Sequence, residues 1–222
     1  MFTYLMDGVL KQIKQILITA ALMLIINSIM AQVQHTAVSH QKHPSSKQLK
    51  DFLNLMAQAN ITFNYPKGFK EINAPNNEYF SFDYALDLPG RDFEIWFRVK
   101  SEKQDWASYQ NSLNSTDSQL ANPDSSYMAT AKAEAIALTG DTSYFIRTIP
   151  PNILARYRAD AGKSYLLTLL DLPETKHYKY ALLITLQKYH TGTIMVVCFT
   201  NEKGPEFFKE MNEASNCLKF KP

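Results

Sequence analysis

The spacing of apolar residues changes several times along this chain, and each change marks an element. Leu49, Phe52, Leu53 and Met56 recur at helical spacing, which puts them on one face of a helix. Pro44 and Ser45-Ser46 supply its start and N-cap, and Asn60 supplies its stop. The period then shortens to two. "ITFNY", residues 61–65, alternates and runs into the turn Pro66-Lys67-Gly68. Residues 78–88, "EYFSFDYALDL", and 93–100, "FEIWFRVK", are extended runs on either side of Leu88-Pro89-Gly90-Arg91-Asp92, a hairpin pattern. In the second run Phe93, Ile95, Phe97 and Val99 share one face, and Glu94, Trp96 and Arg98 the other. That alternation predicts a half-buried antiparallel strand.

Residues 101–126 break the pattern. They are polar and rich in Ser and Asn, a long excursion expected to be flexible, with one short helix around Trp106 and Tyr109. Met128, Ala131, Ala135 and Leu138 restore a helical period, closed by Gly140. "TSYFIRTI", residues 142–149, is a short strand stopped by Pro150-Pro151. A meander follows: "SYLLTLLDL" from 164, "HYKYALLITLQKY" from 177, a turn at Thr191-Gly192, and "TIMVVCFT" from 193. "LLTLL" and "IMVVCF" are apolar on both faces, so central strands are expected. The last helix starts at Gly204-Pro205, with Glu206 near its positive end; Phe207, Phe208, Met211, Ala214 and Leu218 are its buried side. Antiparallel strands with helices on both faces make an α+β sandwich, a single domain over residues 48–222.

The N-terminus has a different character. Lys11 and Lys14 precede the apolar run "ILITAALMLII", residues 16–26, and "IMAQ" follows. A basic flank, a short apolar core and a small residue before the cut describe a signal peptide, residues 1–31, cleaved after Ala31. Met6 is an alternative start, and Ile29 is larger than a cleavage site prefers. A spanning helix needs about 20 apolar residues, and this run reaches that only by including Asn27, Ser28 and Gln32. The expected address is the periplasm or the exterior; a helix retained in the inner membrane is the rival, and the only membrane contact expected. Residues 32–47 read as a polar linker. Its His35, His40 and His43 lack the fixed geometry that a metal site needs, so no metal and no cofactor is expected.

Charge removes some functions. With 23 Lys plus Arg against 21 Asp plus Glu, the net charge of +2 shows no bias toward nucleic acid. Gly162-Lys163-Ser164 looks like the end of a phosphate-binding loop, yet Tyr157 stands where that loop needs Gly, and a strand follows where it needs a helix. Nucleotide binding is therefore not expected, and Gly162 reads as a turn. Arg147, Arg156, Arg158 and Lys163 gather near it with Asp160, a candidate anion-binding edge. Cys198 falls in an apolar strand and Cys217 in the last helix; a disulfide and two free buried thiols are both open readings. His177 and His190 are not placed beside either thiol by their spacing. Gly-x-Ser-x-Gly, His-Glu-x-x-His and Cys-x-x-Cys do not occur. Asp83, Asp87, Asp92 and Glu94 form no acid–base pair and are expected mostly to solvate loops. Trp96, Trp106 and the tyrosines could line a sugar or peptide groove, but stripes at strand spacing are more often core or a covered sheet face.

"ITFNYPKGFKEI" resembles the opening strand and turn of the PsbP-like fold, and "TIMVVCFTNEKGPEFFKEMNEASNCLKF" resembles its last strand and helix, ending in a Leu-x-Phe strand. "FDYALDLPGRDFEIWFRVKSEK", "RADAG" and "YKYALLITLQKYHTGTIMVVCF" are similar to segments of uncharacterised secreted Gram-negative bacterial proteins. The resemblance implies an α/β/α sandwich and a binding or accessory role without a shared catalytic set. The expected function is a secreted, non-catalytic module that binds an envelope protein or a small molecule. A periplasmic hydrolase-type enzyme and a protein anchored in the inner membrane are the alternatives.

Overall fold

The computed structural model describes residues 46–114 and 120–222. The expected signal peptide, residues 1–31, and the linker as far as 45, with its three histidines, lie outside the described residues. Ser45–Pro222 forms one compact unit.

The unit is α+β. Its helices are α1 (Lys47–Gln58), α2 (Lys103–Ser112), α3 (Ser126–Thr139), α4 (Pro151–Tyr157) and α5 (Pro205–Ser215). Its strands are β1 (Ile61–Phe63), β2 (Lys70–Ile72), β3 (Tyr84–Asp87), β4 (Phe93–Ser101), β5 (Phe145–Thr148), β6 (Ala161–Thr168), β7 (Tyr180–Lys188), β8 (Gly192–Thr200) and β9 (Leu218–Phe220). Seven strands form one sheet in the order β2-β3-β4-β8-β7-β6-β5, and β1 pairs with β9 in a second. Every pairing is antiparallel.

Local chemistry explains most of these elements. Ser46 caps α1, its Oγ accepting from the Leu49 N–H at 2.9 Å. Phe52 and Met56 bury the helix, whereas Leu53 is exposed, so the apolar stripe is narrower than its spacing predicts. Asn60 follows with a left-handed backbone, φ 56°. The expected helix around Trp106 is α2, and Gly140 closes α3.

Two apolar clusters form the core. One joins Phe52, Met56, Leu154, Phe207 and Ala214 to the β4 residues Phe93, Ile95, Phe97 and Val99. The other joins Ala131, Ala135 and Leu138 to Trp96, Leu183, Val197 and Phe199. This second cluster corrects the half-buried reading of β4. Trp96 and Glu94 are buried too. The Trp96 Nε1–H donates to Glu94 Oε1 at 2.6 Å, and Lys176 Nζ reaches Glu94 Oε2 at 2.6 Å. A paired carboxylate can stay in the interior, so a polar position in the alternation did not mean a wet one.

Other expectations also shift. Gly162 is not a turn: Gly162, Lys163 and Ser164 lie inside β6. A Cβ on Gly162 would meet the Thr185 carbonyl oxygen at 2.9 Å and Ile149 at 3.0 Å, so close packing explains the glycine. Pro150-Pro151 stops β5 but also starts α4, which the apolar pattern hid; Pro151 takes the first helical position, where its missing N–H costs nothing. The β7–β8 turn is Tyr189-His190-Thr191, with Gly192 already in β8. Within 78–88 only Tyr84–Asp87 is strand, and β2 went unread. Phe208 is exposed, Leu218 belongs to β9, and Leu170 lies exposed beyond the end of β6.

Candidate functional site at an open sheet edge

The basic cluster read from the sequence does not converge. Arg147 on β5 stands opposite Ser164, and Lys163 on β6 stands opposite Thr148. Cross-strand partners share a face, and successive residues alternate, so Arg147 and Lys163 point to opposite sides of the sheet. Lys163 Nζ donates to Thr148 Oγ1 at 2.7 Å. Arg156 and Arg158 are exposed at the end of α4, which Arg158 closes with φ 55°. Asp160 serves the fold instead: its carboxylate holds Lys188 Nζ at 2.9 Å and the Tyr189 N–H at 2.9 Å, fixing the β7–β8 turn.

The cysteines do meet. Cys198 and Cys217 both line a small apolar cavity of about 20 Å³ with Ile95, Phe97, Ile184 and Leu218. Both are free thiols. Cys217 sits just beyond the end of α5, between that helix and β9. Burial pushes the Cys198 thiol up to about 12, and pushes Cys217 upward as well, helped by the neighbouring Cys198. A thiol that keeps its proton is a poor nucleophile. Neither His177 nor His190 lines the cavity.

The described parts of the 101–126 excursion, residues 101–114 and 120–126, are tied down. Glu102 is fully buried. It accepts from Ser126 Oγ at 3.1 Å, Thr193 Oγ1 at 3.0 Å and Gln187 Nε2 at 2.7 Å. Gln187 Nε2 also donates to Asp124 Oδ1 at 3.1 Å. Asp124 pairs with His190 at 3.2 Å, whose ring stacks on Trp106 with centroids 3.7 Å apart. Glu102, Trp106, Asp124 and Ser126 of the excursion therefore grip Gln187, His190 and Thr193 of the β7–β8 hairpin. Each Glu102 oxygen already has a neutral donor, which suits an anchor rather than a proton-transfer group. Composition gave no sign of this network beyond Gln187 near the end of a largely apolar strand.

Acidic residues also depart from expectation. Besides buried Glu94, Asp83 accepts from the Val99 N–H at 2.7 Å, and burial raises its carboxyl above the usual range. A more open groove of about 510 Å³ is lined by Thr168, Asp171, His177, Tyr178 and Tyr180. His177 Nδ1 lies 2.5 Å from Asp171 Oδ1, but both side chains are exposed and water competes for the pair. Among the described residues no hydroxyl nucleophile is bonded to His177. Nor do three His, Cys, Asp or Glu groups gather as metal ligands there.

What stands out is β5, the last strand of the sheet. All four of its residues are exposed, Phe145 by 56% and Ile146 by 47%. Among the described residues it pairs with β6 on one side only. The Ile149 N–H donates to the Gly162 carbonyl at 3.1 Å, so Ile149 points its amide toward β6. Antiparallel ladders alternate, so Phe145 and Arg147 also bond inward, while the N–H and C=O of Ile146 and Thr148 face outward. Such an edge accepts another strand. The Arg147 guanidinium lies 4.9 Å from the centre of the Phe145 ring on one face. No family model matches the chain, and no curated protein matches it.

Proposed function

We propose that this chain is a secreted or periplasmic binding module, without catalysis, that takes an extended polypeptide segment along β5. The observation that carries the reading is the exposed β5 edge, which joins outward backbone groups to Phe145 and Ile146. Main-chain bonds along such an edge supply affinity, and alternate side chains supply selectivity. The sealed thiols and the saturated Glu102 network support a non-catalytic reading. The signal-like pattern of residues 1–31 supports export. The two apolar clusters support an α/β/α layering of the PsbP-like kind, with helices on both faces of the sheet.

A library of displayed extended peptides panned against the immobilised protein tests this. Enrichment of alternating apolar sequences, lost when the bait carries Ile146→Lys, is the expected result. Enrichment indifferent to that substitution would contradict it.

A further inference from the structure

We infer that the segment β5 takes is β5 of a second copy, pairing antiparallel about a two-fold axis at Ile146. This rests on the edge-binding reading above and names its occupant.

Parity limits the registers. Outward-facing residues must meet outward-facing residues, so Ile146 and Thr148 of one copy pair with the same set, or with Tyr144, of the other. Centring on Arg147 would set two guanidinium groups directly opposite, a repulsive pair. Centring on Ile146 pairs Ile146 with Ile146 through two bonds and Tyr144 with Thr148 through one, the Thr148 N–H donating to the Tyr144 carbonyl while the Tyr144 N–H stays bonded to the Thr142 carbonyl at 3.0 Å. It also places Arg147 of each copy opposite Phe145 of the other. Arg147 is the one charged residue of β5, so this register removes the like-charge contact and replaces it with two cation–ring contacts. Within one chain the same two side chains already lie 4.9 Å apart, so their shared face suits that contact. The strand carries no Lys or Pro, the residues that usually blunt an edge. The contact is isologous and closes on itself, joining two seven-stranded sheets into one.

Sedimentation of protein produced from the full-length chain should show a concentration-dependent monomer–dimer equilibrium. Ile146→Lys sets two like charges on the axis and should weaken it at least about tenfold, with an unchanged circular dichroism spectrum. Cross-linking reads the register independently of that variant. Under oxidised glutathione, a mixture of Phe145→Cys and Arg147→Cys chains should form a disulfide-linked dimer, and neither variant alone should. A dimer that ignores Ile146→Lys, or cross-links within one variant alone, overturns the proposal. A chain that stays monomeric at every concentration also overturns it. In that case peptide capture lost on Ile146→Lys leaves the edge-binding reading standing, and no capture at all overturns both.

Discussion

The two edges of the seven-stranded sheet treat the same problem in opposite ways. Each leaves backbone groups without a neighbouring strand. At β2 a side chain substitutes for one: Gln48 of α1 donates from Nε2 to the Ile72 carbonyl at 2.8 Å and accepts from the Ala74 N–H at 2.8 Å. Ser46, the cap of α1, donates to Glu71 at 2.8 Å and so fastens the start of the helix to that strand, and Tyr84 of β3 donates to the same carboxylate at 2.9 Å. At β5 no side chain does this among the described residues, and Phe145 and Ile146 are exposed instead. A closed edge stabilises one chain, whereas an open edge stores its unmade bonds for another. On the proposed reading β5 is the binding edge and β2 a structural one.

Three substitutions would break or sharpen that contrast, and a fourth test probes the sealed thiols. The largest effect is expected from Gly162→Val in β6, the strand that carries β5. Its side chain would press on the Thr185 carbonyl, Ile149 and Leu154, and overpacking of this kind costs about 2–3 kcal/mol. Denaturant unfolding should show that loss, with edge binding lost too. Next, Gln48→Ala leaves two backbone groups of the closed edge without partners, a cost of about 1–2 kcal/mol in the same assay. If Gln48 does close that edge, its loss should also expose β2 to strand addition. Ile146→Lys should change stability by no more than about 0.5 kcal/mol, because the residue is exposed and away from the core. A larger loss would mean that β5 is built into the fold rather than open.

The smallest effect concerns the sealed groups. Burial raises the Cys198 thiol to about 12 from its ordinary 9.0. The folded state therefore holds that proton more tightly than the unfolded chain does. The stability this gives is present below the unfolded value and is lost as pH rises through about 12. Near pH 8 the native protein should resist alkylation of both thiols, as followed by mass spectrometry, and the unfolded chain should not. Rapid native labelling would show that the cysteine cavity is open.

How much of this was legible in the sequence depended on the range of the interactions. Ser46 as a cap, Gly140 as a stop and the β6-β7-β8 meander follow from local spacing and were readable. The α4 helix was not, because Pro150-Pro151 signals a strand stop and a helix start alike. Gly162 read as a turn because a glycine required by close packing against Thr185 looks the same in sequence as one required by a bend. Glu94 reads as a solvated carboxylate because Lys176, which pairs with it, lies 82 residues away, whereas the core expected for Trp96 holds. The candidate site shows the same limit. Arg147 was picked out for its charge, but β-sheet parity separates it from Lys163, and its value comes from its place beside Phe145 on an edge strand. That β5 would be the last strand could not be read from residues 142–149, since strand order is set by long-range pairing.

Hydrogen exchange resolved to single amides tests the contrast between the edges most directly. At low protein concentration the Ile146 and Thr148 amides should exchange rapidly, while Ala74, held by Gln48, stays protected. On raising the concentration, Ile146 and Thr148 should gain protection and Ala74 should not change. Protection of Ile146 and Thr148 that is already complete in the dilute protein, or that never responds to concentration, would contradict the account.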